Sequence, residues 1–133
     1  MHKIETGLIG FGTGGRIFHA PFIAGSDKFN LKKISTTNEA AIKITQSQYP
    51  DTEIVAAADA IFNDDAIELV IIATPNASHL PLAKKALLAG KHVIVEKPFT
   101  VTVAEADELI ALAAKQQKII TVHHNRRWDS DFK

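Results

Sequence analysis

Short runs rich in isoleucine, valine and leucine recur along the chain, and segments with helical spacing of apolar residues lie between them. The runs predicted to be strands are Ile4–Ile9, Phe29–Ser35, Leu69–Ala73, His92–Val95 and Ile119–His123, with a weaker one at Glu53–Ala56. They are almost continuously apolar, which is typical of strands buried on both faces. Strands and helices that alternate in this way predict an α/β fold, a doubly wound parallel sheet between two layers of helices.

The predicted helices have recognisable ends. Asn76 or Ser78 can cap the helix that follows the third main run, and Gly90 can end it in a left-handed conformation. Thr102 and Glu105 have the spacing of a capping box for the next helix. The loops after the apolar runs are therefore polar, at the edge of the sheet where open α/β folds bind ligands.

The pattern continues without a repeat, a low-complexity tract or a linker, which predicts one domain over residues 1–125. Residues 126–133 contain two arginines, a tryptophan and a phenylalanine, with no following strand or helix to pack against. They are typical of the first turn of a further segment. We therefore interpret the chain as a fragment.

Composition narrows the classes of function. Fifteen basic and 15 acidic residues cancel, so no net charge favours nucleic acid or an anionic membrane. The sequence contains no cysteine, which excludes disulfides, thiolate catalysis and cysteine-based metal sites within it. No apolar run approaches the ~20 residues of a membrane helix, and no export signal precedes the first strand. We expect a soluble, cytoplasmic protein that binds a small molecule.

A glycine-rich turn follows the first strand. Gly10-Phe11-Gly12-Thr13-Gly14-Gly15 fits the pattern G-x-G-x-x-G, in which the first glycine makes the turn, the second admits a pyrophosphate and the third lets helix pack on strand. The motif alone is weak, but a strand precedes it here and a helix-like segment, 15–24, follows it. This context favours dinucleotide binding over a plain structural turn. S-adenosylmethionine enzymes use similar turns and are an alternative.

The end of the second strand indicates which dinucleotide is bound. NAD sites place an acidic residue there, about 20 residues after the glycines, to bond the ribose. This chain has Ser35-Thr36-Thr37-Asn38 instead, with no carboxylate. The hydroxyls of Thr36 and Thr37 could bond a 2'-phosphate, so the sequence leans towards NADP over NAD. The alternative is that both threonines only cap the helix that contains residues 40–46.

Polar residues also follow the next buried strand, in the segment Ala73-Thr74-Pro75-Asn76-Ala77-Ser78-His79. Thr74 and Asn76 could bond ribose or phosphate, and His79 could reach the cofactor from the first helical turn. Asn76 could equally be a helix cap. A histidine on a first turn is more often a surface residue, so both interpretations stay open.

The fourth main apolar run stops at Glu96-Lys97-Pro98, which puts an amine at the edge where substrate would meet cofactor. Lys97 is the candidate for proton transfer, and Pro98 would stiffen the corner. The Glu96 carboxylate could orient the amine or bond the cofactor, and a purely structural Glu-Lys pair is the alternative. Adjacent side chains on a strand point to opposite faces, so His123 and His124 are not expected to form a metal pair, and no metal site is predicted.

Four motifs in family-like order resemble the glucose-fructose oxidoreductase, inositol dehydrogenase and rhizopine-catabolism (Gfo/Idh/MocA) family. They are Gly10-Phe11-Gly12-Thr13-Gly14-Gly15, Thr74-Pro75-Asn76 with His79, Glu96-Lys97-Pro98, and Asn125-Arg126-Arg127-Trp128, and the likeness covers essentially all 133 residues. Members are NAD(P)-dependent enzymes that oxidise or reduce a hydroxyl on sugars, cyclitols and related polyols. They join an amino-terminal Rossmann domain to a carboxyl-terminal α/β substrate domain, and the resemblance implies that this second domain is absent here.

The resemblance also implies roles for individual residues. Lys97 would hydrogen-bond the reacting hydroxyl and assist proton transfer, and the Lys97–Pro98 peptide bond would be cis. The motifs and the resemblance together predict which residues bind the nicotinamide dinucleotide. They are Gly10, Phe11, Gly12, Thr13, Gly14, Gly15, Thr36, Thr37, Thr74, Pro75, Asn76, His79, Glu96, Lys97, Asn125 and Arg126.

The resemblance extends to the whole protein. Residues 126–133 would begin the connection to the substrate domain, and the chain alone would bind cofactor without turnover. The full-length protein would act on a small polyhydroxylated substrate and form a homo-oligomer. A non-catalytic, redox-sensing dinucleotide-binding module is the alternative, and an S-adenosylmethionine-dependent transferase is a more distant one.

Overall fold

The computed structural model describes residues 2–124, and its centre is a six-stranded parallel sheet. The strands are β1 (Ile4–Ile9), β2 (Phe29–Ser35), β3 (Glu53–Val55), β4 (Leu69–Ile72), β5 (His92–Glu96) and β6 (Ile120–His123). Their order is β3-β2-β1-β4-β5-β6, and each neighbouring pair is parallel. All six predicted strands are confirmed, and no predicted end is wrong by more than one residue.

Helices connect the strands. A π-helical turn, Gly14–His19, runs into α1 (Ala20–Ala24), and the others are α2 (Glu39–Gln48), α3 (Asp59–Phe62), α4 (His79–Leu88) and α5 (Val103–Gln116). The helix predicted over 15–24 is thus split in two. Pro21 has no backbone N–H and fits only the first turn of an α-helix, so a new α-helix begins at Ala20. No helix in the described part of the chain is long and apolar enough to cross a membrane.

Two apolar cores, one on each face of the sheet, make the fold a three-layer α/β/α structure. Alternate strand residues point to opposite cores: Leu8 and Ile71 belong to one, Ile9 and Ile72 to the other. The first core includes residues of α1 and α2, and the second includes residues of α3, α4 and α5. Because the central strands are buried on both faces, their sequences are almost continuously apolar. The predicted doubly wound Rossmann fold is confirmed.

The strand order places a switch point between β1 and β4. From β1 the chain crosses to β2 in one direction, and from β4 it crosses to β5 in the other. The loops after these two strands therefore separate and open a crevice at the carboxyl edge of the sheet, where such folds bind ligands. The glycine turn follows β1 and Thr74 follows β4, so both predicted binding segments flank this crevice.

The helix caps are only partly as predicted. Thr102 accepts a hydrogen bond of 3.2 Å from a backbone N–H in the first turn of α5, as expected. Gly90 follows α4 with φ +79°, which is also as expected. Neither Asn76 nor Ser78 caps α4 through its side chain. The Ser78 hydroxyl donates instead to Pro75 O at 2.6 Å, within a 3-10 turn, Asn76–Ser78, that leads into α4.

Candidate functional site

The glycine turn after β1 lies against the end of β4. Gly10 has φ +94°, a conformation that other residues rarely adopt, and a Cβ there would lie 2.5 Å from Ala73 O. A Cβ on Gly15 would collide with Gly10 O. Gly12 differs, because a Cβ there would have no heavy atom of the described residues within 4 Å. The fold itself requires Gly10 and Gly15, whereas the space beside Gly12 is open to a ligand.

A cavity of about 370 Å³ lies between the glycine turn and the end of β2. Its lining residues are Phe11, Gly12, Thr13, Arg16, Thr36, Asn38, Ala40, Ala41 and Ile44. Among these nine described residues, only Arg16 is charged and none is acidic. Sequence reasoning missed Arg16, although a basic residue directly after the glycines was an available signal. The cavity therefore combines a guanidinium, a threonine hydroxyl and the open face of Gly12.

The turn at the end of β2 shows what the two threonines do. Asn38 is the cap of α2, because its Oδ1 accepts a hydrogen bond of 2.9 Å from the Ala41 N–H. Thr36 Oγ1 accepts one of 3.3 Å from the Asn38 N–H and also lines the cavity. Thr37 does not belong to the lining residues. The alternative in which Thr36 and Thr37 cap the helix is therefore wrong, since the neighbouring asparagine has that role.

Hydrogen bonds within the protein hold the segment after β4. Thr74 Oγ1 lies 2.5 Å from Ser78 Oγ, so this hydroxyl is already engaged. Pro75 and Asn76 are exposed at the start of the 3-10 turn. The exposed amide of Asn76 does not cap α4. The alternative in which Asn76 serves as a helix cap is therefore wrong.

His79 is fully buried, so the alternative of a surface histidine is wrong. Its Nε2 lies 2.9 Å from Thr74 O, and its Nδ1 lies 2.9 Å from Pro98 O. The ring thus bridges the loops after β4 and β5. Both nitrogens face carbonyl groups of the protein, so the structure gives His79 a bridging position where the motif predicted direct contact with the cofactor.

Lys97 and Glu96 lie at the carboxyl end of β5. Lys97 is exposed, and its peptide bond to Pro98 is cis, as the resemblance implied. The side chain of Glu96 is only 16% exposed, and its Cγ lies 3.7 Å from where a Cβ of Gly14 would be. Within residues 2–124 the carboxylate pairs with two histidines and not with Lys97, so the simple Glu-Lys pair is not formed. The Glu96 side chain therefore lies next to Gly14 of the glycine turn, and Lys97 follows Glu96 at the same edge.

Two imidazoles share one oxygen of Glu96. His19 Nε2 lies 2.5 Å from Oε1, and His123 Nδ1 lies 2.9 Å from the same atom. The pairing of β5 with β6 sets His123 opposite Glu96, and the two ring centroids are 4.5 Å apart. Burial lowers the pKa of His19 below its ordinary value, although Glu96 opposes the shift. Burial therefore favours the neutral ring of His19 over the charged one.

Sequence reasoning missed His19, because its position in a helical segment gives no sign that it faces the sheet. His124 is exposed and does not belong to this cluster, which agrees with the prediction that adjacent strand residues point apart. Asn125 and Arg126, which the resemblance placed near the cofactor, lie outside the described residues.

Comparison with known proteins identifies the family. A family model described as "Oxidoreductase family, NAD-binding Rossmann fold" matches residues 4–124. The chain belongs to this family. The Gfo/Idh/MocA resemblance that the motifs indicated is thereby confirmed.

Individual members of the family are similar to almost the whole chain. The uncharacterized oxidoreductase YdgJ of Escherichia coli (strain K12) is 50% identical over 98% of this chain and 37% of its own length. The scyllo-inositol 2-dehydrogenase (NADP(+)) IolW of Bacillus subtilis (strain 168) is 40% identical over 99% of this chain and 36% of its own length.

A solved structure shows the same fold. The crystal structure of biliverdin reductase from Synechocystis sp. PCC 6803, in complex with biliverdin and NADP+, has a TM-score of 0.86 at 30% identity. The match covers 93% of this chain and 39% of that chain. The present chain thus spans less than two-fifths of the length of these three relatives.

Proposed function

We propose that this chain is the nucleotide-binding domain of an NAD(P)-dependent oxidoreductase that acts on a sugar, cyclitol or related polyol. The full-length enzyme would transfer a hydride to or from the hydroxyl or carbonyl carbon. The observation that carries the proposal is the open space beside Gly12 at the switch point of the sheet, with Lys97 on the same edge. The name of IolW, a scyllo-inositol dehydrogenase, supports the cyclitol class.

The glycine turn fits a dinucleotide pyrophosphate. Since a Cβ at position 12 would meet no heavy atom of the described residues within 4 Å, a phosphate can approach the backbone N–H groups of the turn there. The adenosine half would then extend into the cavity at the end of β2. When bound, the nicotinamide supplies the hydride chemistry. The chain's own residues bind and orient it.

Lys97 is the proposed proton-transfer residue. Its exposed amine can hydrogen-bond a substrate oxygen and give or take the proton as carbinol and carbonyl interconvert. His79 supports this position, because its contact with Pro98 O fixes the loop that follows Lys97 against the loop after β4. We expect the 133 residues to bind cofactor without turnover, since they supply the cofactor side of the site and one proton-transfer group. A homo-oligomeric full-length protein remains a prediction.

We propose NADP as the preferred cofactor. A 2'-phosphate needs positive charge and hydroxyl donors where NAD sites place a carboxylate. The described lining of the cavity offers the Arg16 guanidinium and the Thr36 hydroxyl and contains no acid. The names of IolW and of the biliverdin reductase complex mention NADP, which supports the same preference.

Calorimetric titration with NADPH, NADH and S-adenosylmethionine tests the proposal. We expect a reduced nicotinamide dinucleotide to bind and Gly12→Val to abolish that binding. Circular dichroism and the unfolding midpoint of Gly12→Val should match those of the wild type, because the position is open in the protein. Binding of S-adenosylmethionine alone, or unchanged NADPH affinity in folded Gly12→Val, would overturn the proposal.

The cofactor preference has its own pair of variants. A hydrogen bond to a charged group contributes about 1.5–3 kcal/mol, so Arg16→Ala should weaken NADPH binding about 10- to 150-fold and leave NADH binding nearly unchanged. Lys43→Ala is the matched control, because Lys43 is an exposed basic residue of α2 outside the cavity lining. Equal losses for NADPH and NADH in Arg16→Ala would contradict a 2'-phosphate contact.

A further inference from the structure

Three side chains from separate elements converge beside the crevice. His19 comes from the π-helical turn, Glu96 ends β5, and His123 ends β6. One ligand atom from each lies within 4.8 Å of the others. We propose that His19, Glu96 and His123 bind a divalent transition-metal ion.

The donor atoms suit such an ion. Two imidazole nitrogens and one carboxylate oxygen are the set that zinc and neighbouring first-row metals prefer, and three protein ligands leave a fourth position open. Metal–ligand bonds of about 2.0–2.2 Å in a tetrahedron separate the ligand atoms by about 3.3–3.5 Å. The present separations from Glu96 Oε1 are 2.5 Å to His19 Nε2 and 2.9 Å to His123 Nδ1. Each histidine nitrogen would therefore move about 0.4–1.0 Å further from the carboxylate oxygen.

The backbone already arranges these ligands. The register of β5 and β6 pairs Glu96 with His123, and π-helical turns often occur at functional sites because they redirect side chains. His19 is only 4% exposed, so its ring has little freedom to leave the cluster. Within residues 2–124, His19, Glu96 and His123 form the one group of at least three histidine or acidic side chains whose ligand atoms lie close enough together to bind a single ion.

Space for a fourth ligand adjoins the cluster. A cavity of about 460 Å³ is lined by both histidines together with Phe18, Phe22, Ile23, Ile71 and Ile94. Apart from the two histidines this lining is apolar, and the cavity leaves room for a water or a small anion as the fourth ligand. Because the Glu96 side chain lies next to Gly14, the ion would lie beside the nucleotide crevice.

The competing explanation is a hydrogen-bonded cluster without metal, in which both rings donate to the carboxylate. The two explanations differ in what the second imidazole does. A metal ion needs both histidine nitrogens as ligands. Removing a residue that only hydrogen-bonds a ligand typically lowers metal affinity 10- to 100-fold, and removing a ligand itself should lower metal affinity further. A hydrogen-bonded cluster predicts no stoichiometric metal binding at all.

The test is titration of the untagged 133-residue chain, freed of metal by a chelator, with Co²⁺ and then Zn²⁺, in the absence of nucleotide. We expect one equivalent of Co²⁺ with visible ligand-field absorption, displaced by one equivalent of Zn²⁺ in competition with a chromophoric chelator. Because no nucleotide is present, the result does not depend on the proposed function.

Three variants complete the test. His123→Asn and Glu96→Gln should each weaken Zn²⁺ binding by more than about 100-fold. The matched control is His124→Asn, which removes an exposed imidazole one residue away and should bind as the wild type does. Circular dichroism checks that each variant folds, and Glu96→Gln decides if His123→Asn does not. The proposal is overturned if the wild type binds no stoichiometric metal, or if a folded ligand variant binds as tightly as the wild type.

Discussion

The replacement of His79 by leucine tests whether one buried ring holds the two loops of the crevice together. Leucine is similarly bulky but has no hydrogen-bonding atom, so Thr74 O and Pro98 O each lose the ring nitrogen that lies 2.9 Å away. A hydrogen bond contributes a net ~0.5–1.5 kcal/mol, and more is lost where a carbonyl stays unpaired. Thr74 is half-buried and Pro98 is exposed, so water can partly replace the ring. We expect the free energy of unfolding to fall by about 1–3 kcal/mol.

Urea unfolding followed by circular dichroism measures this loss. With a slope of about 1–2 kcal/mol/M for a chain of this size, a 2 kcal/mol loss lowers the midpoint by roughly 1–2 M. Amide exchange should accelerate in the loops after β4 and β5 more than in the core strands. His124→Leu, at an exposed position, is the control. A His79→Leu midpoint that stays within about 0.2 M of the wild type would refute the bridging role.

Three further predictions concern stability. Gly15→Ala should lower the free energy of unfolding by more than the ~1–3 kcal/mol typical of an overpacked core, because the alanine Cβ would collide with Gly10 O. Thermal unfolding measures this loss. Burial raises the pKa of Asp64, but Lys33 at 3.1 Å and the hydrogen bond from the Ala66 N–H together outweigh burial and keep the pKa below its ordinary value. The resulting stability is present above about pH 4 and is lost as the pH falls further, so Asp64→Asn should flatten the decline of urea midpoints below about pH 5. Thr102→Ala should lower the free energy of unfolding by about 1 kcal/mol through loss of the α5 cap, measured by urea unfolding.

The strands of the sheet could be predicted because each strand is indicated by a short run of neighbouring residues. Strands buried on both faces leave continuous runs of branched apolar residues, whereas the edge strand β3, which begins with an exposed glutamate, gave only a weaker signal. Parallel strands joined by helices also bring all loops after the strands to one edge. That Gly12, Thr36 and Lys97 lie at one edge of the sheet could therefore be predicted from their places just after three strands.

The contacts that cross the molecule were not predictable. His79 finds its partner Pro98 19 residues further along the chain, so nothing in the local pattern distinguishes its buried ring from a surface histidine. His19 and Glu96 are 77 residues apart, and the π-helical turn rotates His19 out of the register that α-helical periodicity would assign. The cap of α2 is Asn38 and neither of the two preceding threonines, because the turn after β2 directs the side-chain oxygen of Asn38 at a backbone N–H in the first turn of α2.

The three glycines of the G-x-G-x-x-G pattern, at positions 10, 12 and 15, are required for different reasons. Neighbouring backbone leaves no room for a side chain at positions 10 and 15, whereas within residues 2–124 nothing lies within 4 Å of a Cβ placed at position 12. In a library randomised at all three positions and selected only for folding, glycine should persist at 10 and 15 and drift away at 12. Selection for dinucleotide binding should retain it at all three. The residue found at position 12 in related sequences should therefore indicate whether a domain of this type still binds a dinucleotide.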